Sequence, residues 1–113
     1  DGVVLNISKD LLGQSMAISY TPDAADKSGL SDGYTKVLVY SHLEPGPDMA
    51  PGTRIFKDQI IAKIFDTRKK KSKLLSHLHL SCILIPDKHT RERLCWSLFA
   101  DRDQVTYVNP VFI

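Results

Sequence analysis

Residues 74–84, Leu-Leu-Ser-His-Leu-His-Leu-Ser-Cys-Ile-Leu, form an apolar run with a histidine at positions 77 and 79. Alternation with period two is the signature of a β-strand, on which side chains two apart share a face. Read as a strand, the run sends His77, His79 and Ser81 one way. Leu78, Leu80, Cys82 and Leu84 go the other way and are expected in the core. The histidine face then needs solvent, hydrogen-bond partners or a metal, because an unpaired buried imidazole is costly. Two readings follow: surface histidines on the open face of an antiparallel sheet, or a site.

The same period runs through most of the chain. Residues 1–7 read as a turn feeding a short strand. In Gln14–Tyr20, Met16, Ile18 and Tyr20 alternate with Ser15, Ala17 and Ser19. Tyr34–Leu43 and Gln59–Phe65 are two further strands, and residues 104–113 a last one ended at Asn109-Pro110. Residues 21–33 are rich in Gly, Pro, Asp and Ser and read as a solvated loop. Asp23, Asp26 and Asp32 within it lack the spacing of an EF-hand. Residues 44–52 hold three prolines and two glycines, which break regular structure. Between Pro86 and Asp103, Leu94, Cys95, Leu98 and Phe99 recur at helical spacing. One amphipathic helix of about three turns is expected there, capped by Asp87 or Thr90. Trp96 and Phe99 are expected to pack it onto the sheet, and His89 to lie in solvent near its start. The fold class is therefore all-β, antiparallel, with one short C-terminal helix.

A length of 113 residues suits a single domain spanning residues 1–113, with a core that needs no disulfides. A net charge of +2 is too small to argue for nucleic acid on its own, and nucleic acid is not an expected partner. No apolar run approaches a membrane span. The two cysteines lack metal-ligand spacing; Cys82 reads as core and Cys95 as part of the helix stripe. Arg68–Lys73 places five positive charges in six residues. That is a solvated loop, or a rim attracting an anionic polymer.

Three segments in order carry a resemblance. Tyr40-Ser41-His42-Leu43 comes first, Pro51–Ile64 second, and Ser76-His77-Leu78-His79-Leu80-Ser81 third. The series resembles the lysostaphin-type (LytM-type) zinc endopeptidases that cut peptidoglycan cross-bridges. There, a Tyr-x-His-Leu strand end precedes a Gly-Asp-x-Val-x-x-Gly-Gln-x-Ile-Ala segment and then a His-Leu-His-Phe strand. Asp58 stands where that family usually has glycine, and Leu80 where an aromatic is common. Residues 1–4 resemble the family's strand after its first metal-binding motif, and Val108-Asn109-Pro110 its closing segment.

The resemblance implies an antiparallel, barrel-sandwich-like scaffold and zinc as cofactor. It implies His79 as a zinc ligand, and His42 and His77 as catalytic residues beside the zinc-bound water. It also implies a place in the bacterial cell envelope, periplasmic or secreted. Zinc takes neutral imidazole nitrogens and activates water, and neighbouring histidines move protons. The family's other two ligands come from an upstream His-x-x-x-Asp, and no histidine precedes His42. The chain is thus expected to be incomplete on its N-terminal side, or to be a relative that keeps the scaffold without the metal. In the second case it binds a cell-wall polymer or a partner protein. The small β folds of biotinyl and lipoyl carrier domains share a similar turn. They carry a lysine hairpin that is missing here. His42, His77 and His79 are expected to meet on one surface.

Overall fold

A computed structural model of the chain describes residues 2–20, 34–70, 75–86, 89 and 91–108. Residues 21–33, the candidate caps Asp87 and Thr90, and the Asn109-Pro110 strand end lie outside those residues.

The strands are β1 (Gly2–Asp10), β2 (Gly13–Tyr20), β3 (Tyr34–Pro45), β4 (Arg54–Ile55), β5 (Ala62–Ile64), β6 (His79–Pro86) and β7 (Thr106–Val108). All pair antiparallel in one sheet of order β4-β1-β2-β3-β6-β7, with β5 added to the end of β3. The all-β, antiparallel expectation holds. The first strand is longer than expected and the Gln59–Phe65 strand shorter.

Both faces of the sheet are covered, and period two shows why. Met16 and Ile18 join Val4, Leu43 and Ile55 on one face, with Tyr40, Met49 and Ile61 against them. Ala17, Val37, Val39, Ile83 and Ile85 line the other, under Leu94, Leu98, Phe99 and Val105. Phe99, Met16, Ile18, Ile83 and Val39 are all fully buried.

The segment over the second face is not a three-turn helix. A 3-10 turn, Arg91–Arg93, is followed by one α-helical turn, α1 (Trp96–Phe99). Cys95, with φ −140° and ψ 176°, is extended and separates them. Cys95 occupies the N-cap position without a side-chain capping bond to the backbone, its Sγ lying 3.0 Å from the Ser97 hydroxyl. Leu94, Leu98 and Phe99 still reach the core, so the apolar spacing served burial rather than a continuous helix.

Two bulges shape the sheet. Between β1 and β2 the register passes from Val4↔Ile18 to Asn6↔Ala17, inserting Leu5. Between β2 and β3 it passes from Gln14↔Leu43 to Met16↔Tyr40, so Ser41 and His42 together oppose Ser15. An extra residue in one strand puts two consecutive side chains on the same side. Tyr40 and Leu43, three apart, accordingly share one face. Leu5 packs on the α1 face, and Asn6 Nδ2 donates to the Leu94 carbonyl at 3.0 Å.

The histidine strand departs from its expected two faces. β6 begins at His79, and residues 75–78 precede it without regular structure. Leu78 is 45% exposed and Leu80 38%, whereas Ser81 is 6% exposed. Cys82 is buried as expected, Ile61 packs partly against the core, and Ile64 is exposed. The reason is coverage. The face of His79 and Ser81 continues into Ile83 and Ile85, which lie beneath Leu98 and Phe99. The α1 segment buries only that far end of β6, and the strand's first two residues remain exposed.

Candidate functional site: a histidine cluster anchored on Asp10

The open end of β6 lies beside the bulge of β3, where Ser41 pairs with His79. The bulge gives His42 a left-handed backbone, φ 67°, and turns it to the side that Ser41 and His79 occupy. His42 and His77 meet edge-on with ring centroids 4.8 Å apart, and His42 and His79 lie 5.7 Å apart. The three histidines singled out in the sequence therefore come together. His77 and His79 are exposed, while the His42 side chain is 14% exposed.

Beneath His42 sits Asp10, whose side chain is 4% exposed. It closes β1 at the hairpin into β2, paired with Gly13. Its Oδ1 accepts the Leu12 N–H at 2.8 Å and faces His42 Nδ1 at 3.1 Å. Its Oδ2 accepts the His42 backbone N–H at 2.8 Å and the Ser15 hydroxyl at 2.7 Å. Burial pushes this carboxyl up, but the donated hydrogen bonds of His42, Ser15 and Leu12 together hold it below the usual value.

Ser15 is the hub under the carboxylate. Its Oγ lies 2.9 Å from Ser41 Oγ and accepts the Trp96 Nε1–H at 2.9 Å. A hydroxyl has one proton, and an ionised carboxylate can only accept. Ser15 gives that proton to Asp10, so Ser41 supplies the proton of the Ser15–Ser41 contact. The buried hydroxyl then has one donated and two accepted bonds.

Trp96 forms a wall of the site. Its indole lies 5.8 Å from the His79 ring at 30°, and stands edge-on to Phe99 at 5.5 Å. The α1 segment is thus tied to the sheet by packing and by the indole bond to Ser15. His79 Nε2 lies 3.5 Å from Ser81 Oγ, the weak limit of a hydrogen bond. The His77 Nδ1 faces the Leu75 carbonyl at 2.8 Å and must donate to it, which leaves Nε2 as that ring's free lone pair.

Asp10, Ser15 and Ser41 were not among the sequence candidates. One signal for Asp10 was present: Asp at the first and Gly at the fourth position of Asp10-Leu11-Leu12-Gly13 is a turn signature. Its reach to His42, 32 positions on, was not legible. His89 departs from the solvated reading: its Nε2 is buried, with no hydrogen-bond partner among the described residues. The described part of the basic segment, up to Lys70, is partly neutralised. Thr67–Lys70 is a 3-10 turn in which Arg68 pairs with Asp66, Lys69 with Glu44, and Lys70 reaches the Leu11 carbonyl.

A zinc shell needs three protein ligands and an open position. Among the described residues no group of three or more His, Cys, Asp or Glu side chains is arranged to hold a metal ion. The residues described do not complete the expected zinc site. No helix among them is long and apolar enough to cross a membrane.

No protein-family model, curated protein or solved structure matches this chain. The functional reading therefore rests on the motifs and on this geometry.

Proposed function

We propose that the chain is a lysostaphin-type endopeptidase-like domain directed at peptidoglycan peptides of the bacterial cell envelope, and that it carries the histidine side of the site without a complete metal shell. The observation that carries the reading is the meeting of His42, His77 and His79 at the open end of β6, 4.8 and 5.7 Å apart by ring centroid. A second observation supports it. Asp58, standing where the resembled family has glycine, has φ 66°. That backbone favours glycine, and aspartate is among the few other residues enriched there.

In this reading His42 and His77 handle protons. Each engages Nδ1, with Asp10 and with the Leu75 carbonyl respectively, and so keeps Nε2 as the free lone pair. A neutral imidazole so held can take a proton from water and return it to a leaving amine. His79 is the one prospective metal ligand, and the remaining ligands come from an upstream His-x-x-x-Asp segment. A second reading is favoured by the incomplete donor set: a non-catalytic module that binds a cell-wall polymer or partner protein on the same face.

Metal content by mass spectrometry, alongside clearing of purified cell walls, separates the two. The chain alone is expected to hold zinc weakly and to clear poorly. A form extended by a His-x-x-x-Asp segment is expected to hold one zinc and clear walls, and His79→Ala in that form to lose both. Tight zinc with robust clearing by the chain alone would show the ligands misplaced. An extended form that clears nothing but sediments with cell walls selects the binding module. One that does neither removes both readings.

A further inference from the structure

The structure assigns Asp10 as the positioning residue of His42, fixing both its orientation and which ring nitrogen carries the proton. The inference deepens the proposed role of His42 in proton transfer and takes its functional meaning from that reading; its geometry stands independently.

Three observations converge. First, one carboxylate grips His42 twice, by the backbone N–H at 2.8 Å and by ring Nδ1 at 3.1 Å. The backbone contact holds the left-handed bulge that aims the side chain, and the ring contact sets its rotation. Second, Asp10 is itself immobilised. The Leu12 N–H and the Ser15 hydroxyl occupy its remaining lone pairs, and Ser15 is held in turn by Ser41 and Trp96. Third, every group around the carboxylate is a donor. A carboxylate that accepts from all sides remains ionised, and the ring nitrogen facing it has to be Nδ1–H. The lone pair of neutral His42 then lies on Nε2, on the side of the ring away from Asp10. The titratable groups beside the ring are Asp10, His77 and His79. Neither histidine ring is a hydrogen-bond partner of His42. Asp10 alone therefore sets its tautomer. A carboxylate that fixes the tautomer and orientation of a working imidazole is a recurrent device in proton-transfer and metal sites. Here it comes from a hairpin corner far away in sequence.

The test reads the proton directly and needs no hydrolysis. With histidine-labelled full chain, long-range proton–nitrogen correlation spectra at a pH where the rings are neutral report which nitrogen of His42 is protonated. Wild type is expected to show the Nδ1–H form predominating. Asp10→Asn places an amide donor among four donors and is expected to shift His42 toward Nε2–H. Ser15→Ala removes a support of the network but keeps the carboxylate. It is expected to lower stability while His42 keeps Nδ1–H, which a merely structural role for Asp10 does not predict. A wild-type His42 found as Nε2–H overturns the assignment whether or not either variant folds. So does an Asp10→Asn protein that folds and keeps Nδ1–H. If cell-wall clearing fails while the tautomer is as stated, the proposed function fails and the positioning role stands.

Discussion

At the scale of single residues, one buried hydroxyl ties the site together. Ser15 is 1% exposed and joins Asp10, Ser41 and Trp96. Removing one partner from a buried network leaves the others desolvated and unpaired, which costs about 1–3 kcal/mol. Ser15→Ala is therefore expected to lower the unfolding free energy by about 1–3 kcal/mol, read as a lower urea midpoint at an unchanged slope, since no apolar surface is newly exposed. No detectable change in midpoint would mean that the indole N–H and the Ser41 hydroxyl have found other acceptors. The legibility of the site divides along the same line. His77 and His79 stood out because imidazoles are unusual on apolar strands, and His42 because Tyr40-Ser41-His42-Leu43 resembles a family motif. Asp10 and Ser15 are common residue types in common places, a turn and an alternating strand. Only the three-dimensional pairing of β1, β2 and β3 reveals them as the floor of the site.

At the scale of elements, the bulge in β3 aims His42. Without an extra residue, His42 would fall on the face of Tyr40, as strict alternation predicts, and its ring would point away from His79. Period two cannot foresee an insertion of one residue, so this part of the fold was hidden in a sequence whose strands were otherwise readable. The helix shows the converse. The spacing of Leu94, Leu98 and Phe99 announced a buried face correctly, and the extended backbone of Cys95 cut the expected helix to one turn. The cost of the bulge is measurable. With φ at 67°, His42 occupies a region that glycine enters freely and other residues enter under strain of order 1 kcal/mol or more. His42→Gly and His42→Ala both lose the imidazole and its bond to Asp10, so their difference isolates the backbone. The glycine variant is expected to be more stable than the alanine variant by roughly 1 kcal/mol, read from denaturant midpoints. Equal stabilities, or the reverse order, would show that the strand relaxes the bulge when the ring is removed.

At the scale of the molecule, the same carboxylate links the site to the stability of the fold. Asp10 joins the β1–β2 hairpin to β3, and through Ser15 to the α1 segment, so its charge state is felt by most of the sheet. Its folded value lies below the ordinary 3.8, because the donated hydrogen bonds outweigh the opposing effect of burial. A depressed carboxyl binds fewer protons in the folded state than in the unfolded state, so its contribution is present above pH 3.8 and is lost as pH falls through the lower folded value. Asp66 is also depressed, to about 2, by the hydrogen bonds and charge of Arg68, but that pair lies at the surface and is worth little. Comparing wild type with Asp10→Asn removes the Asp66 effect, which both proteins share. Urea midpoints followed from about pH 6 to about pH 2.5 are expected to fall for both. The wild-type curve should be the steeper below pH 3.8, and the gap between the two proteins should narrow as Asp10 takes up its proton. Parallel curves through that window would mean that Asp10 titrates alike in the folded and unfolded chains. The hydrogen bonds at the hairpin corner would then be too weak to hold the carboxylate, and His42 would lose the anchor that its orientation depends on.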